Sequence, residues 1–119
     1  MQDNEPVVCA RAFRVRVLPG QEAAYARYLR EVVEPIDALA HGEGVFAQMF
    51  AIRPEAPGAD WTHARVFLFR DMLQRERFTE AMAACALRFD GAADATARRK
   101  AFADTLRVAL GGRDYTVGS

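Results

Sequence analysis

Residues 61–71 read Trp61-Thr62-His63-Ala64-Arg65-Val66-Phe67-Leu68-Phe69-Arg70-Asp71. Aromatic and β-branched side chains dominate this run, which predicts a β-strand. Because side chains alternate along a strand, Ala64, Val66 and Leu68 should share one face. The other face would hold Trp61, His63, Arg65, Phe67 and Phe69. Both faces are largely apolar, so we expect a central strand of a sheet that is covered on both sides.

The composition is that of an ordinary soluble protein. A chain of 119 residues suits one domain, and we expect a flexible acidic tail over residues 1–6 and a single domain over residues 7–119. Its 16 basic and 16 acidic side chains cancel, which offers no electrostatic case for nucleic acid or an anionic membrane as a partner. The sequence shows no apolar leader and no run of membrane length, so we expect a cytoplasmic protein. Cys9 and Cys85 should be buried, reduced and inert.

The chain before the quoted stretch predicts a strand, a helix and a second strand. Residues 7–18 alternate between the two faces of a strand. Apolar residues then recur at helical spacing over residues 21–40, with a bend or break at Pro35. Residues 45–53 alternate again, and a proline-rich loop over residues 53–60 connects them to the quoted strand as a long hairpin.

The chain after the quoted stretch predicts helices and a last strand. Asp71, followed by Gln74, has the form of a capping box and begins a second helix. A third helical stretch is expected over residues 92–110, ending at a pair of glycines. Residues 113–117 remain for a short fourth strand.

This order of elements, β-α-β-β-α-(α)-β, predicts an α+β fold of the ferredoxin-like type with a four-stranded antiparallel sheet. We expect the first and third strands side by side at its centre, running parallel. If the strand faces without polar groups lie against the helices, the opposite face holds Arg14, Arg16, Phe46, Gln48, Phe50, Ile52, Trp61, His63, Arg65, Phe67 and Phe69. Its large apolar members would form a patch that monomers rarely expose. We therefore expect a homodimer formed through the sheet faces.

Three features carry a resemblance to a known group of proteins. They are Val17-Leu18-Pro19-Gly20-Gln21-Glu22 at the end of a strand, the helix from Tyr25 to Leu39, and Trp61-Thr62-His63 opening the strand that runs through Phe67-Leu68-Phe69 to the helix at Asp71. Over nearly its whole length the chain resembles the dimeric α/β-barrel superfamily, which includes antibiotic-biosynthesis monooxygenase-like, stress-responsive barrel and EthD-like proteins. The resemblance implies two sheets facing each other across a dimer, a pocket inside each sheet–helix unit or between the sheets, and activities from cofactor-free oxygenation to none known. Haem-degrading relatives carry an axial histidine on the second helix, and residues 71–89 contain none.

His63 is the candidate catalytic residue, because a strand histidine among aromatic side chains can shuttle a proton in an apolar pocket. The alternative is a strand-end histidine bonded to its surroundings. Arg14, Arg16 and Arg65 have the planar guanidinium that can clamp a carboxylate or an enolate. The alternative pairs them with acidic side chains at the dimer interface.

Four further side chains are candidates for substrate binding. Trp61, Phe50 and Phe67 could form the walls around an aromatic ligand, and Gln48 could donate to a carbonyl oxygen. Trp61 could equally cover the mouth of a barrel without any ligand. No metal-ligand spacing, phosphate loop or nucleophile elbow is present in the sequence, so we expect no cofactor and no metal.

Two functions stay open at this point. The first is a small-molecule enzyme, a cofactor-free oxygenase, isomerase or cyclase acting on a small, possibly aromatic, anionic substrate. The second is a non-catalytic dimeric barrel that binds a small ligand or a partner. A roomy cavity that reaches His63 and Trp61 would favour the enzyme, whereas a barrel packed solid by phenylalanine side chains would favour the second function.

Overall fold

The computed structural model describes residues 6–118, so most of the predicted tail, residues 1–5, lies outside the described residues. The strands are β1 (Cys9–Val17), β2 (Gln48–Ile52), β3 (His63–Phe69) and β4 (Arg107–Thr116). The helices are α1 (Glu22–Tyr28), α2 (Glu34–Gly42), α3 (Met72–Asp90) and α4 (Ala93–Ala103), with a π-helical segment, Leu29–Val33, between α1 and α2.

The four strands form one sheet in the order β2-β3-β1-β4, and each neighbouring pair is antiparallel. This is the predicted ferredoxin-like α+β fold. β1 and β3 lie side by side at the centre as expected, but the expectation that they run parallel is wrong. A helical crossover makes β1 parallel to β2, and β3 lies between them because it is the hairpin partner of β2.

The prediction of which face of β3 meets the helices is also wrong. Phe67 and Phe69, with exposed fractions of 1% and 0%, pack against Phe78 of α3. The face of β3 that carries His63 and Arg65 is therefore covered by the chain's own helices. Both faces of this strand are apolar in sequence, so alternation grouped the side chains correctly without showing which group meets the helices.

The opposite face of the sheet, called the open face below, lies away from the helices. From the strand register it carries Arg14, Arg16, Gln48, Phe50, Ile52, Val66, Leu68, Val108 and Tyr115. Exposed fractions of 45% for Phe50 and 51% for Tyr115 show that large apolar side chains on it are uncovered in one copy of the chain. Phe46, which was expected here, precedes β2 and is buried against Phe67 instead.

The helix changes type next to Pro35, where the sequence predicts a bend or a break. Pro35 lies in the first turn of α2, directly after the π-helical segment. Proline has no N–H to donate to the carbonyl four residues earlier, and its ring would collide with that carbonyl in a regular α-helix. The wider π-turn removes this conflict, so the helical path continues from residue 22 to residue 42.

Helix α3 begins where the sequence predicts. The Gln74 N–H donates to Asp71 Oδ1 at 2.7 Å, and Gly91 ends the helix in the left-handed conformation. Phe78 and Cys85 of its apolar stripe are buried, but Phe89 is exposed. Within residues 6–118 we find no helix whose length and apolarity would allow it to cross a membrane.

The predicted third helix is too long, because α4 ends at Ala103 and β4 already begins at Arg107. The two glycines expected to end that helix lie inside the strand. Gly111 has a φ of 90° at the position where the register between β1 and β4 shifts. A Cβ atom on Gly112 would lie 2.8 Å from the Phe13 ring, so the strand needs a glycine there.

Both cysteines are free and buried, as expected. Cys9 lies on β1 and Cys85 on α3, in the core cluster that also contains Phe67, Phe69 and Phe78. Burial among apolar side chains keeps a thiol from reagents, and slow labelling of both thiols stays a prediction.

Candidate functional site

A cavity of about 280 Å³ lies between the sheet and the first helical path, and we call it the inner cavity. Strands β1, β3 and β4 form its floor. Tyr25 and Tyr28 of α1, together with Leu29 and Val33 of the π-helical segment, form its roof. The cavity therefore lies inside the sheet–helix unit, at the end of the sheet where β3 begins.

His63, the first residue of β3, lines the inner cavity. Its ring lies 5.3 Å from the Tyr25 ring, nearly edge to face. Its Nδ1 lies 2.8 Å from the Thr62 hydroxyl, which also accepts the Val17 N–H at 2.9 Å. Because this hydrogen bond uses Nδ1 and fixes the ring, Nε2 is the nitrogen left for a ligand.

Burial determines the protonation states of His63 and Tyr25. It lowers the pKa of His63 below its usual value, and the positive charge of Arg53 acts in the same direction. The imidazole is therefore neutral at pH 7, the form that can accept a proton. Burial raises the pKa of Tyr25, against smaller opposite effects of Arg65 and Arg107, so the phenol keeps its proton and can donate a hydrogen bond.

Arg65 reaches the inner cavity from β3 and is held by Asp37 of α2. Its Nη2 lies 2.5 Å from each Asp37 oxygen, and the guanidinium stacks 4.9 Å from the centre of the Phe67 ring. Burial raises the pKa of Asp37, although the Arg65 charge favours its ionised form. This pairing lies within one chain, whereas the alternative considered from sequence placed the arginine's partner at a dimer interface.

Two more arginines line the inner cavity. Arg99 of α4 donates from Nε to both Asp90 oxygens at 2.9 and 3.0 Å, and from Nη1 to the Tyr28 hydroxyl at 3.2 Å. Arg107 of β4 donates to Asp104 at 2.7 Å. Because each guanidinium already has a carboxylate partner, the cavity suits one anionic group better than a polyanion.

Three of the eight residues predicted for the site line the inner cavity, two of them with their side chains. His63, Arg65 and Arg14 all line the inner cavity. Arg14 lies on β1 between two residues whose side chains face the helices, so by alternation its own side chain points to the open face. We expect its contribution to the cavity to come from its backbone.

The other five predicted side chains lie elsewhere. Arg16 donates to the Asp60 carbonyl at 3.2 Å, and Gln48 and Phe50 are exposed on the open face. Trp61 is half-buried two residues before the start of β3, and Phe67 is buried in the core. Their roles in substrate binding stay predictions.

Four polar residues of the inner cavity are not identified from the sequence as site residues. Tyr25 and Tyr28 lie on the apolar stripe of the first helix, where tyrosine is usually core; two hydroxyls on one buried stripe were the available signal. Arg99 and Arg107 were placed on one long third helix. No Gly or Pro occurs between Ala103 and Arg107 to mark the end of that helix, so no turn residue indicates where these two arginines lie.

The inner cavity combines a neutral imidazole, phenol hydroxyls and guanidinium groups. Such a set can take up a proton from a bound molecule and stabilise the anion that forms. Within residues 6–118, no group of three or more His, Cys, Asp or Glu side chains is arranged to hold a metal ion.

Comparison with known proteins identifies the fold. No protein-family model matches the sequence, and no curated protein matches it. The similar solved structures include HapK from Hahella chejuensis (11% identity, TM-score 0.59, covering 93% of this chain and 94% of that chain). They also include a dimeric ferredoxin-like protein from an uncultured marine organism (10%, 0.58, 98% and 93%) and NE2512, a protein of unknown function from Nitrosomonas europaea (23%, 0.55, 96% and 90%). At these identities the likeness shows the fold alone, and that fold is the one the sequence resemblance predicted.

Proposed function

We propose that this chain, built on the fold of dimeric ferredoxin-like proteins, binds a small aromatic carboxylate or enolate in its inner cavity and transfers a proton on it through His63. One observation carries the proposal: a neutral, half-buried histidine beside Tyr25 lines a cavity that also holds the guanidinium of Arg65. This chemistry is that of a cofactor-free isomerase, cyclase or oxygenase.

The volume and lining of the inner cavity support a small aromatic ligand. Its volume of about 280 Å³ is close to the lower end of ligand sites in proteins, roughly 300 Å³. The Tyr25 and Tyr28 rings, with Leu29 and Val33 beside them, provide apolar contact for an aromatic ring. One carboxylate on that ring would meet a guanidinium that is already oriented by its own acidic partner.

The surroundings of His63 support proton transfer. A general base works best when its pKa lies near the working pH, since it must be unprotonated before it reacts and still be basic enough to take up a proton. Desolvation keeps His63 in that form, and the Thr62 hydroxyl holds the ring in place. In a cavity of low dielectric, a nearby guanidinium would stabilise the enolate that forms when the proton leaves carbon.

Phenylpyruvate, an aromatic acid with exchangeable protons next to its ketone, tests this proposal. In D₂O the protein should accelerate exchange of these protons, measured by NMR. His63→Gln should lower the rate about 10² to 10⁴-fold, the usual effect of removing a general base. His41→Gln is the control, because His41 is exposed and its Nε2 contacts the Ala47 carbonyl, away from the inner cavity.

The outcomes separate the two functions. Binding of phenylpyruvate without accelerated exchange would show a non-catalytic barrel that binds a small ligand. Exchange that survives His63→Gln would show that another group moves the proton, and absence of binding would reject the site.

We also propose that the chain forms a homodimer through the open face. Phe50, Ile52 and Tyr115 are among its exposed apolar side chains, and covering such a surface is favourable. One of the similar structures is described as a dimeric ferredoxin-like protein, which supports this arrangement. The inner cavity lies on the other side of the sheet, so a dimer formed in this way leaves it accessible.

A further inference from the structure

A second cavity, of about 290 Å³, lies between α2, α3 and α4, and we call it the outer groove. Val33, Arg65 and Arg99 line both the inner cavity and the outer groove. The two spaces therefore lie back to back, with these three side chains between them. Two of the three are arginines, whose long side chains can shift by rotation about several single bonds.

The outer groove differs from the inner cavity in polarity. Its walls include Ile36, Met82, Ala83 and Ala86, which offer mainly hydrocarbon. Asp37, Lys100 and the two shared arginines also line it, and Asp37 is the ion-pair partner of Arg65. The inner cavity, by contrast, holds the histidine, the tyrosines and Arg107. An acid that binds beside His63, the proposed base, has its head group in the inner cavity, and an apolar chain attached to it would find the hydrocarbon wall in the outer groove.

We propose that the two cavities form one bipartite site for an aromatic acid that carries an extended alkyl chain. The acid end occupies the inner cavity, and the chain passes beside Val33 and between the two shared arginines into the outer groove. This inference rests on the proposed function, which it deepens by defining the class of ligand. An amphiphilic acid matches the order of polar and apolar walls along this path.

Calorimetric titration with benzoate and 4-hexylbenzoate tests the bipartite site. The wild-type protein should bind 4-hexylbenzoate about 50-fold or more tightly than benzoate, since burial of half of a six-carbon chain is enough for that gain. Ala83→Trp should remove most of this preference while leaving the benzoate affinity unchanged, because Ala83 is exposed and lines only the outer groove of the two spaces.

Ala84→Trp is the matched control. Ala84 is the next residue on α3 and is also exposed, but it does not line the outer groove, so the preference for the hexyl compound should persist. A measurement that needs no variant is the nuclear Overhauser effect between the terminal methyl group of bound 4-hexylbenzoate and the Met82 methyl group, which the bipartite site requires.

Each result supports or rejects the inference. Equal affinities for the two acids, a preference untouched by Ala83→Trp, or no Overhauser effect at Met82 would reject the outer groove as a binding site and leave the inner-cavity proposal standing. Benzoate that fails to shift the His63 and Tyr25 resonances would instead reject the inner cavity, whatever the hexyl compound does.

Discussion

His63 gives the protein a measurable dependence on pH. In the unfolded chain its pKa is about 6.5, and burial lowers it in the folded protein. The folded state therefore binds this proton less readily than the unfolded state does. Above about pH 6.5 this difference makes no contribution to the free energy of unfolding. As the pH falls through the unfolded and then the folded pKa, the free energy of unfolding should decrease.

Urea unfolding of the wild type and of His63→Gln at pH 7.5 and 5.5 measures this contribution. The loss of stability between the two pH values should be smaller in the variant, since glutamine does not titrate. An NMR titration in which the folded His63 ring has its midpoint at or above about 6.5 would contradict the assignment of the ring to a desolvated site.

The alternation of side chains along a strand predicted some of the site residues, but it could not predict others. His63 and Arg65 are two residues apart on one strand, so their shared face could be predicted, and both line the inner cavity. Phe67 shares that face but lies deeper, under α3, where no local pattern could place it. Predicting the position of Arg107 requires knowing where α4 ends. That end is determined by the pairing of β4 with β1, two segments about ninety residues apart in the chain.

Among the elements, helix α3 has the most locally determined start. Asp71 accepts the Gln74 N–H, and the Gln74 side chain accepts the Arg70 N–H at 2.8 Å. Asp71→Ala should lower the free energy of unfolding by about 1 kcal/mol, because a backbone donor at the helix start loses its partner. Asp71→Asn keeps an acceptor there and should cost much less, and equal losses in the two variants would show that charge rather than capping is responsible. Chemical denaturation of both variants makes the comparison.

Strand β4 shows why other elements could not be predicted. Val108, Ala109 and Leu110 form an apolar run that fits a helix as well as a strand. Hydrogen bonding to β1 selects the strand, and the bulge at Gly111 accommodates the shift of register. In a single sequence, a glycine pair reads equally as a helix end or as a bulge.

At the scale of the whole molecule, substitutions at two phenylalanines on opposite faces of the sheet distinguish a loss of association from a loss of folding. In sedimentation at micromolar concentration the wild type should be one species of twice the chain mass. Phe50→Asp should give a folded monomer, because Phe50 is exposed on the open face. Phe67→Asp should unfold the chain, since an unpaired charge in the core costs several kcal/mol.

Leu73→Asp is the control for this pair, because Leu73 is an exposed leucine on α3, away from the open face. It should remain a dimer. A wild type that sediments as a monomer would reject the homodimer, and a Phe50→Asp variant that stays dimeric would place the interface elsewhere.

The order of the elements was more predictable than the direction of the strands and the assignment of the two faces of the sheet. The order of strands and helices follows from periodicity and turn residues, and only a few topologies fit that order. The relative direction of β1 and β3, and the side of β3 that meets the helices, depend on how distant segments pack. These are properties of the assembled sheet, and the sequence of a strand that is apolar on both faces carries little information about them.

The π-helical segment makes the chain unequally tolerant of shortening. A π-turn closes its hydrogen bonds over one residue more than an α-turn, so it holds a surplus residue. Deleting Arg30 or Glu31, both exposed, would leave a regular α-turn and keep Tyr25 and Tyr28 over the inner cavity. Deleting Glu80 from α3, which has no surplus, would turn Phe78 by about 100° relative to Cys85 and divide the core stripe. Natural variation in the length of this protein should therefore be accommodated first in the roof of its cavity.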